Sequence, residues 1–220
     1  SHAVLIFRSD DANTGTISPA QLVQLGRAFG ELEILPEPDK RHADHPEIFN
    51  LSNVRPDGGL VEVDEPQAVF LQGTQRWHTD SSFREIPALC TMLYAVEVTE
   101  RGGQTQFADM RKTLGLLPAE QRTEIEALQL VHSYEYSRAN NPGHMEPMTD
   151  DERAKYPPVK HPWVRRNADG SQSLYMGAHA SHIVGRDPVE SRQWFAEIEA
   201  QLSVHDLVYQ HQWQVNDLVV

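Results

Sequence analysis

The 220-residue chain is 39% hydrophobic and carries a formal charge of −13, enough for one buried core over residues 1–220 but not for the broad basic face that nucleic acid or an anionic membrane favours. Its single cysteine, Cys90, excludes an internal disulfide framework or a cysteine zinc cluster and is read as buried filler. With no apolar run of roughly 18 residues and no basic-then-apolar leader, a cytoplasmic protein without a membrane span is expected.

Ala3 to Phe7 reads as a buried strand, and Ser18-Pro19 as the N-cap and first turn of a helix that carries Leu22, Leu25 and Phe29 inward and ends at Gly30. From Glu31 to Gly73, scattered Pro, Asp, His and Gly separate the short apolar stretches 47–51 and 68–71, which predict strands joined by long loops. Thr91 to Val96 is a strand, Arg101-Gly102-Gly103 a turn, and a further strand starts near Thr105. Pro118 opens a second helix with Ile125 and Leu128 on one face. Asp187-Pro188-Val189-Glu190 opens a third that buries Phe195, Ile198 and Leu202, while Ser173 to Met176 and Leu207 to Trp213 are strands. Short strands with a few helices predict an α+β, mainly β protein. The chain reads as starting and stopping inside core strands, so an incomplete domain is expected.

The most informative stretch is Arg76-Trp77-His78-Thr79-Asp80-Ser81-Ser82-Phe83. In an extended segment, residues two apart share a face, so His78 and Asp80 can converge on one ion. An imidazole and a carboxylate, joined by a distant histidine, make the two-histidine, one-carboxylate triad that leaves positions open for oxygen and a co-substrate, a geometry that suits non-haem iron(II). His-x-Asp alone equally suits a surface histidine bonded to a neighbouring carboxylate.

The block Trp77 to Phe83, the later Gly102-Gly103-Gln104-Thr105-Gln106-Phe107-Ala108-Asp109-Met110, and Met176-Gly177-Ala178-His179-Ala180-Ser181-His182 together resemble the taurine dioxygenase family. The resemblance covers nearly the whole chain. Tyr156-Pro157-Pro158-Val159 and His161-Pro162-Trp163-Val164-Arg165 are similar to the branch that oxidises 2,4-dichlorophenoxyacetate.

This resemblance implies a double-stranded β-helix (jelly-roll) core with flanking helices, and a dioxygenase that uses iron(II), 2-oxoglutarate and O2. His78 and Asp80 would be metal ligands, and Thr105, 27 positions after His78 (105 − 78), would hydrogen-bond the distal carboxylate of 2-oxoglutarate. His179, and secondarily His182, would contact a small anionic substrate. The substrate would be an aryloxyalkanoate such as 2,4-dichlorophenoxyacetate; for an aryloxyacetate, hydroxylation beside the ether oxygen gives a hemiacetal that collapses to a phenol and glyoxylate. A homo-oligomer is compatible with the family. Trp77 and Phe83 could wall the pocket, and Lys160, Arg165 and Arg166 are nearby cations in sequence. Thr74 stands where the taurine-cleaving member has a substrate-touching asparagine, which argues against taurine.

Members of the family follow a stretch like Trp213 to Val220 with a Trp-Asp-Asn segment, the second histidine ligand and an arginine that pairs with 2-oxoglutarate. The third ligand is therefore expected beyond Val220, and His205 and His211 are read as ordinary strand histidines. Two other readings share these features: a sibling acting on an alkylsulfonate or alkyl sulfate, and a non-catalytic jelly-roll relative that binds a ligand.

Overall fold

The computed structural model describes residues 3–8, 16–34, 38–55, 57–62, 64–65, 68, 73–141, 146–204 and 206–220. In chain order its helices and strands are β1 (Ile6–Phe7), α1 (Pro19–Arg27), β2 (Leu93–Tyr94), β3 (Thr105–Ala108), α2 (Met110–Leu116), α3 (Ala119–Glu126), β4 (Gln129–His132), α4 (Tyr134–Ala139), α5 (Asp150–Lys155), β5 (Val159–Pro162), β6 (Val164–Arg166), β7 (Gln172–Leu174), β8 (Ala180–Ile183), α6 (Pro188–Val204), β9 (Val208–His211) and β10 (Leu218–Val219). They fall into two compact units, one of residues 61–87 and 106–210, the other of residues 2–60, 88–105 and 211–220.

The first unit is built on an antiparallel sheet of order β5-β4-β8. Leu130 pairs with His161 on one side and Ile183 on the other, and the register against β8 slips between Val131 and His132. Alternation along β4 sends Leu130 and His132 inward, both fully buried. Behind the sheet, α6 presents Phe195, Ile198 and Leu202, all buried as their helical spacing predicts. Asp187 starts that helix, its carboxylate accepting from the N–H groups of Val189 at 2.7 Å and Glu190 at 3.3 Å. Trp163, between β5 and β6, is fully buried with the rings of Trp194 and Phe195 at 5.6 and 5.5 Å. It anchors a core that also holds Leu114, Ile125, Leu174, Met176 and Ile183.

Three short helices in this unit went unread in the sequence. Asp109 caps α2, Ser133 caps α4, and Thr149 caps α5 in a reciprocal box with Glu152. At 7, 6 and 6 residues they are too short for an apolar periodicity to emerge, so capping chemistry is their main local signal.

In the second unit, β10 lies between β1 and β2, with Leu218 opposite Phe7 and Tyr94 and Val219 opposite Ile6 and Leu93. Leu218 and Val219 are buried, but Ile6 is 38% and Phe7 56% exposed. The strand expected over Ala3–Phe7 is therefore a two-residue edge, not a buried core strand. Ser18 caps α1 as expected, in a box with Gln21. Its inward face is Val23 and Gly26, whereas Leu25 and Phe29 are exposed. Gly26 lies against Leu32, whose Cδ2 would be 2.9 Å from a Cβ placed there.

The stretch 47–51 contributes only an isolated bridge between Arg41 and Phe49, and most of 68–71 lies outside the described residues. Gly102 and Gly103 both take positive φ, as the expected turn requires. Cys90 is exposed, not buried. The architecture is mixed helix and short sheet, and among the described residues the strands do not close into a barrel.

Candidate active site

His78 and Asp80 lie in the first unit, in a short irregular segment after the 3-10 turn Gly73–Gln75 and not in the expected strand, with Asp80 opening a turn over 80–83. Ser81, at φ 57° and buried, reverses the chain directly after Asp80. The two side chains converge: His78 Nε2 lies 3.3 Å from Asp80 Oδ1. On the other edge of the ring, Nδ1 donates to the Arg76 carbonyl at 2.7 Å, which fixes the ring orientation and leaves Nε2 aimed at the carboxylate. The Asp80 hydrogen bond is the largest cause holding the His78 pKa above its ordinary value. Side-chain exposures of 36% and 49% leave the pair open to solvent and small ligands. Among the described residues, no third His, Cys, Asp or Glu joins them to form a metal-ligating group.

The backbone of this segment is fastened to the stretch before β8. Ala178 N–H donates to the Trp77 carbonyl at 2.8 Å, and the Thr79 hydroxyl donates to the Met176 carbonyl at 3.2 Å. Between these two bonds, Gly177 takes φ +140°, and a Cβ placed on it would meet His78 Cα at 2.8 Å and the Trp77 oxygen at 3.0 Å. Both neighbours are backbone and cannot swing aside. Gly177→Ala is expected to displace His78 and weaken Mn(II) binding by about tenfold, the scale seen when a ligand loses its supporting shell; Mn(II) titration followed by electron paramagnetic resonance measures it.

The same stretch delivers His179, whose carbonyl is held by Ser133 N–H at 2.8 Å. Its ring packs at 4.9 Å from Phe83, which in turn contacts Tyr134 at 4.8 Å and Tyr156 at 6.0 Å. Burial, followed by the nearby His78, pushes the His179 pKa down to about 4, so its imidazole is neutral near pH 7. Its Nδ1 is buried and has no hydrogen-bond partner among the described residues. Fully buried His132 is likewise pushed down, to about 3, by burial and by His161 and His179.

The structure thus brings His179 within electrostatic reach of His78 and Asp80. His182 instead bonds Ser181, its Nδ1 2.9 Å from that hydroxyl. Of the cations proposed from sequence, Arg165 lies over the Tyr175 ring at 4.4 Å, and Lys160 and Arg166 are exposed. Arg84, over both Phe83 and Tyr156 at 5.6 Å, and Arg76 are the positive groups the sequence reading overlooked. Arg76 had a signal, being two residues before His78; Gly177 had none beyond being glycine.

Thr105 belongs to the second unit, where it opens β3 and its hydroxyl oxygen accepts from the Trp213 indole N–H at 2.9 Å. His211 is 1% exposed, with Nε2 3.1 Å from the Asp217 carboxylate. That engagement accounts for it without a metal role. His205 lies outside the described residues.

The model of the taurine catabolism dioxygenase TauD, TfdA family matches residues 1–220. An alpha-ketoglutarate-dependent 2,4-dichlorophenoxyacetate dioxygenase of Burkholderia sp. (strain RASC) is 35% identical over 99% of this chain and 72% of that protein. A (S)-phenoxypropionate/alpha-ketoglutarate-dioxygenase of Sphingobium herbicidovorans is 31% identical over 100% of this chain and 73% of that protein. Among solved structures, AAD-2 in complex with Mn(II) and N-oxalylglycine superposes with a TM-score of 0.81 at 32% identity, covering 99% of this chain and 74% of that one.

Proposed function

Since the chain belongs to the taurine catabolism dioxygenase TauD, TfdA family, we propose that it is a 2-oxoglutarate-dependent iron dioxygenase that hydroxylates an aryloxyalkanoate beside the ether oxygen. The reading includes a jelly-roll core, a single dioxygenase domain over 1–220 and a cytoplasmic location. The observation that carries it is the convergence of His78 Nε2 and Asp80 Oδ1 at 3.3 Å, with the far ring nitrogen tied to a backbone carbonyl. This nitrogen and oxygen donor set fits iron(II), and His78 and Asp80 would hold the metal. Bound there with 2-oxoglutarate, the metal supplies oxygen activation coupled to decarboxylation to succinate and carbon dioxide.

The chain's own residues bind and orient. Thr105 donates its hydroxyl to the distal carboxylate of 2-oxoglutarate. His179, neutral and with a buried nitrogen lacking a partner among the described residues, turns that nitrogen toward the polar end of the substrate. Phe83, Tyr134 and Tyr156 form an apolar aromatic wall on which an aryl ring can pack and from which water is excluded. Arg76 and Arg84 offset locally the acidity of the chain and draw an anionic substrate in. His182 supports the loop through Ser181 and has the weaker claim on substrate. From an aryloxyacetate the hydroxylated product is a hemiacetal that collapses to a phenol and glyoxylate, and from a 2-aryloxypropionate it is a hemiketal that collapses to a phenol and pyruvate, in both cases without further help from the protein.

Substrate-dependent succinate formation across a panel tests the reading. Aryloxyacetates and aryloxypropionates are expected to drive succinate release with one phenol per succinate. Turnover confined to alkylsulfonates or alkyl sulfates would overturn the substrate assignment, and no succinate with any substrate would favour a binding protein over an enzyme.

A further inference from the structure

Thr105 is not held by its own strand alone. Trp213 Nε1–H donates to its Oγ1 at 2.9 Å. An indole nitrogen can only donate, so the threonine oxygen must accept in that bond, and its single O–H is directed away from the indole. A freely rotating hydroxyl becomes a directed donor.

The ring that does this is itself braced within the same unit. Trp213 meets His211 edge to face, with centroids 4.5 Å apart at 85°. His211 Nε2 lies 3.1 Å from Asp217 Oδ2. Asp217, fully buried, accepts from Arg8 through both carboxylate oxygens, at 2.8 and 2.7 Å, and from Gln214 N–H at 2.8 Å. The Gln104 amide donates to Gln212 at 3.1 Å, joining the residues next to Thr105 and Trp213 a second time.

We infer that Trp213 is a positioning residue for the co-substrate: it fixes the Thr105 hydroxyl as a donor toward the distal carboxylate of 2-oxoglutarate, and the His211–Asp217–Arg8 network holds its ring. The inference rests on Thr105 being the group that meets that carboxylate. Trp213 acts only through Thr105, so the two substitutions must not add.

The experiment is a double-mutant cycle on the Mn(II)-loaded protein, with N-oxalylglycine binding measured by calorimetry and 2-oxoglutarate KM by succinate formation. Thr105→Val is expected to weaken binding at least about tenfold, the scale of a hydrogen bond to a charged group, and Trp213→Phe about fivefold. The double variant is expected to match Thr105→Val within about twofold, with Mn(II) affinity unchanged throughout. Trp213→His, which keeps a ring N–H, is expected to stay near the unsubstituted affinity and covers the case in which the Phe variant does not fold. Fully additive losses, or unchanged affinity in Trp213→Phe, would overturn the inference while leaving Thr105 in place. Unchanged affinity in Thr105→Val would overturn the Thr105 assignment itself and the inference with it.

Discussion

His78→Ala and Asp80→Ala are each expected to lower substrate-dependent succinate formation by more than about 100-fold, and to abolish tight Mn(II) binding. Loss of groups that merely support a ligand costs about 10- to 100-fold, so loss of a ligand itself lies beyond that range. The geometry carries the expectation: the two donor atoms are 3.3 Å apart, and one ring nitrogen is already committed to the Arg76 carbonyl. Stability provides the internal control. Both side chains are more than a third exposed, so their removal is expected to change the unfolding free energy by no more than about 0.5 kcal/mol. Electron paramagnetic resonance of bound Mn(II), succinate assay and urea denaturation together make the test. An alanine variant that keeps Mn(II) affinity and turnover removes that residue from the metal site.

Asp217→Ala is expected to destabilise the fold by about 3 kcal/mol, because it leaves the Arg8 guanidinium and the His211 ring facing each other without their shared acceptor. The figure is set at the lower end of the range for broken buried pairs because the Arg8 side chain is 36% exposed. Stability should also follow pH in a defined direction. The Arg8 hydrogen bonds, more than any other cause, hold the Asp217 carboxyl below the usual carboxylate range. With the folded pKa below the unfolded one, the contribution is full above about pH 4, the unfolded value, and disappears as pH falls through the folded pKa. The stability gap between the protein and Asp217→Ala, read from urea midpoints, should therefore shrink on acidification below about pH 4. A gap under about 1 kcal/mol at pH 7, or one unchanged between pH 7 and 3, would contradict this account.

Much of the helical structure was legible because its signals are local. Ser18-Pro19 and Asp187-Pro188 mark two helix starts that the structure reproduces, and the spacing of Phe195, Ile198 and Leu202 correctly names a buried face. The failures were of burial. Leu25 and Phe29 fit a helical stripe yet are exposed, because the face of α1 that packs inward is the one carrying Val23 and Gly26. Ile6 and Phe7 alternate in a strand that proves to be an edge, and an edge is a property of the sheet rather than of the strand. Cys90 was assigned to the interior on residue type alone and is exposed.

For the proposed metal pair the sequence by itself supplied the donor chemistry, an imidazole and a carboxylate two residues apart, whereas the roles proposed for Thr105 and His179 came only with the family resemblance. Residue type and short spacing suffice for the pair, since side chains two apart in an extended segment share a face whatever lies around them. Tertiary structure alone decided which groups pack against or bond to these residues. Gly177 against the His78 backbone, Trp213 on the Thr105 hydroxyl, and Arg8 with Asp217 behind His211 join positions 99, 108, 209 and 6 residues apart. No local pattern encodes such contacts, because the orientation of a hydroxyl or the clearance beside a Cα depends on atoms that only the folded chain brings near.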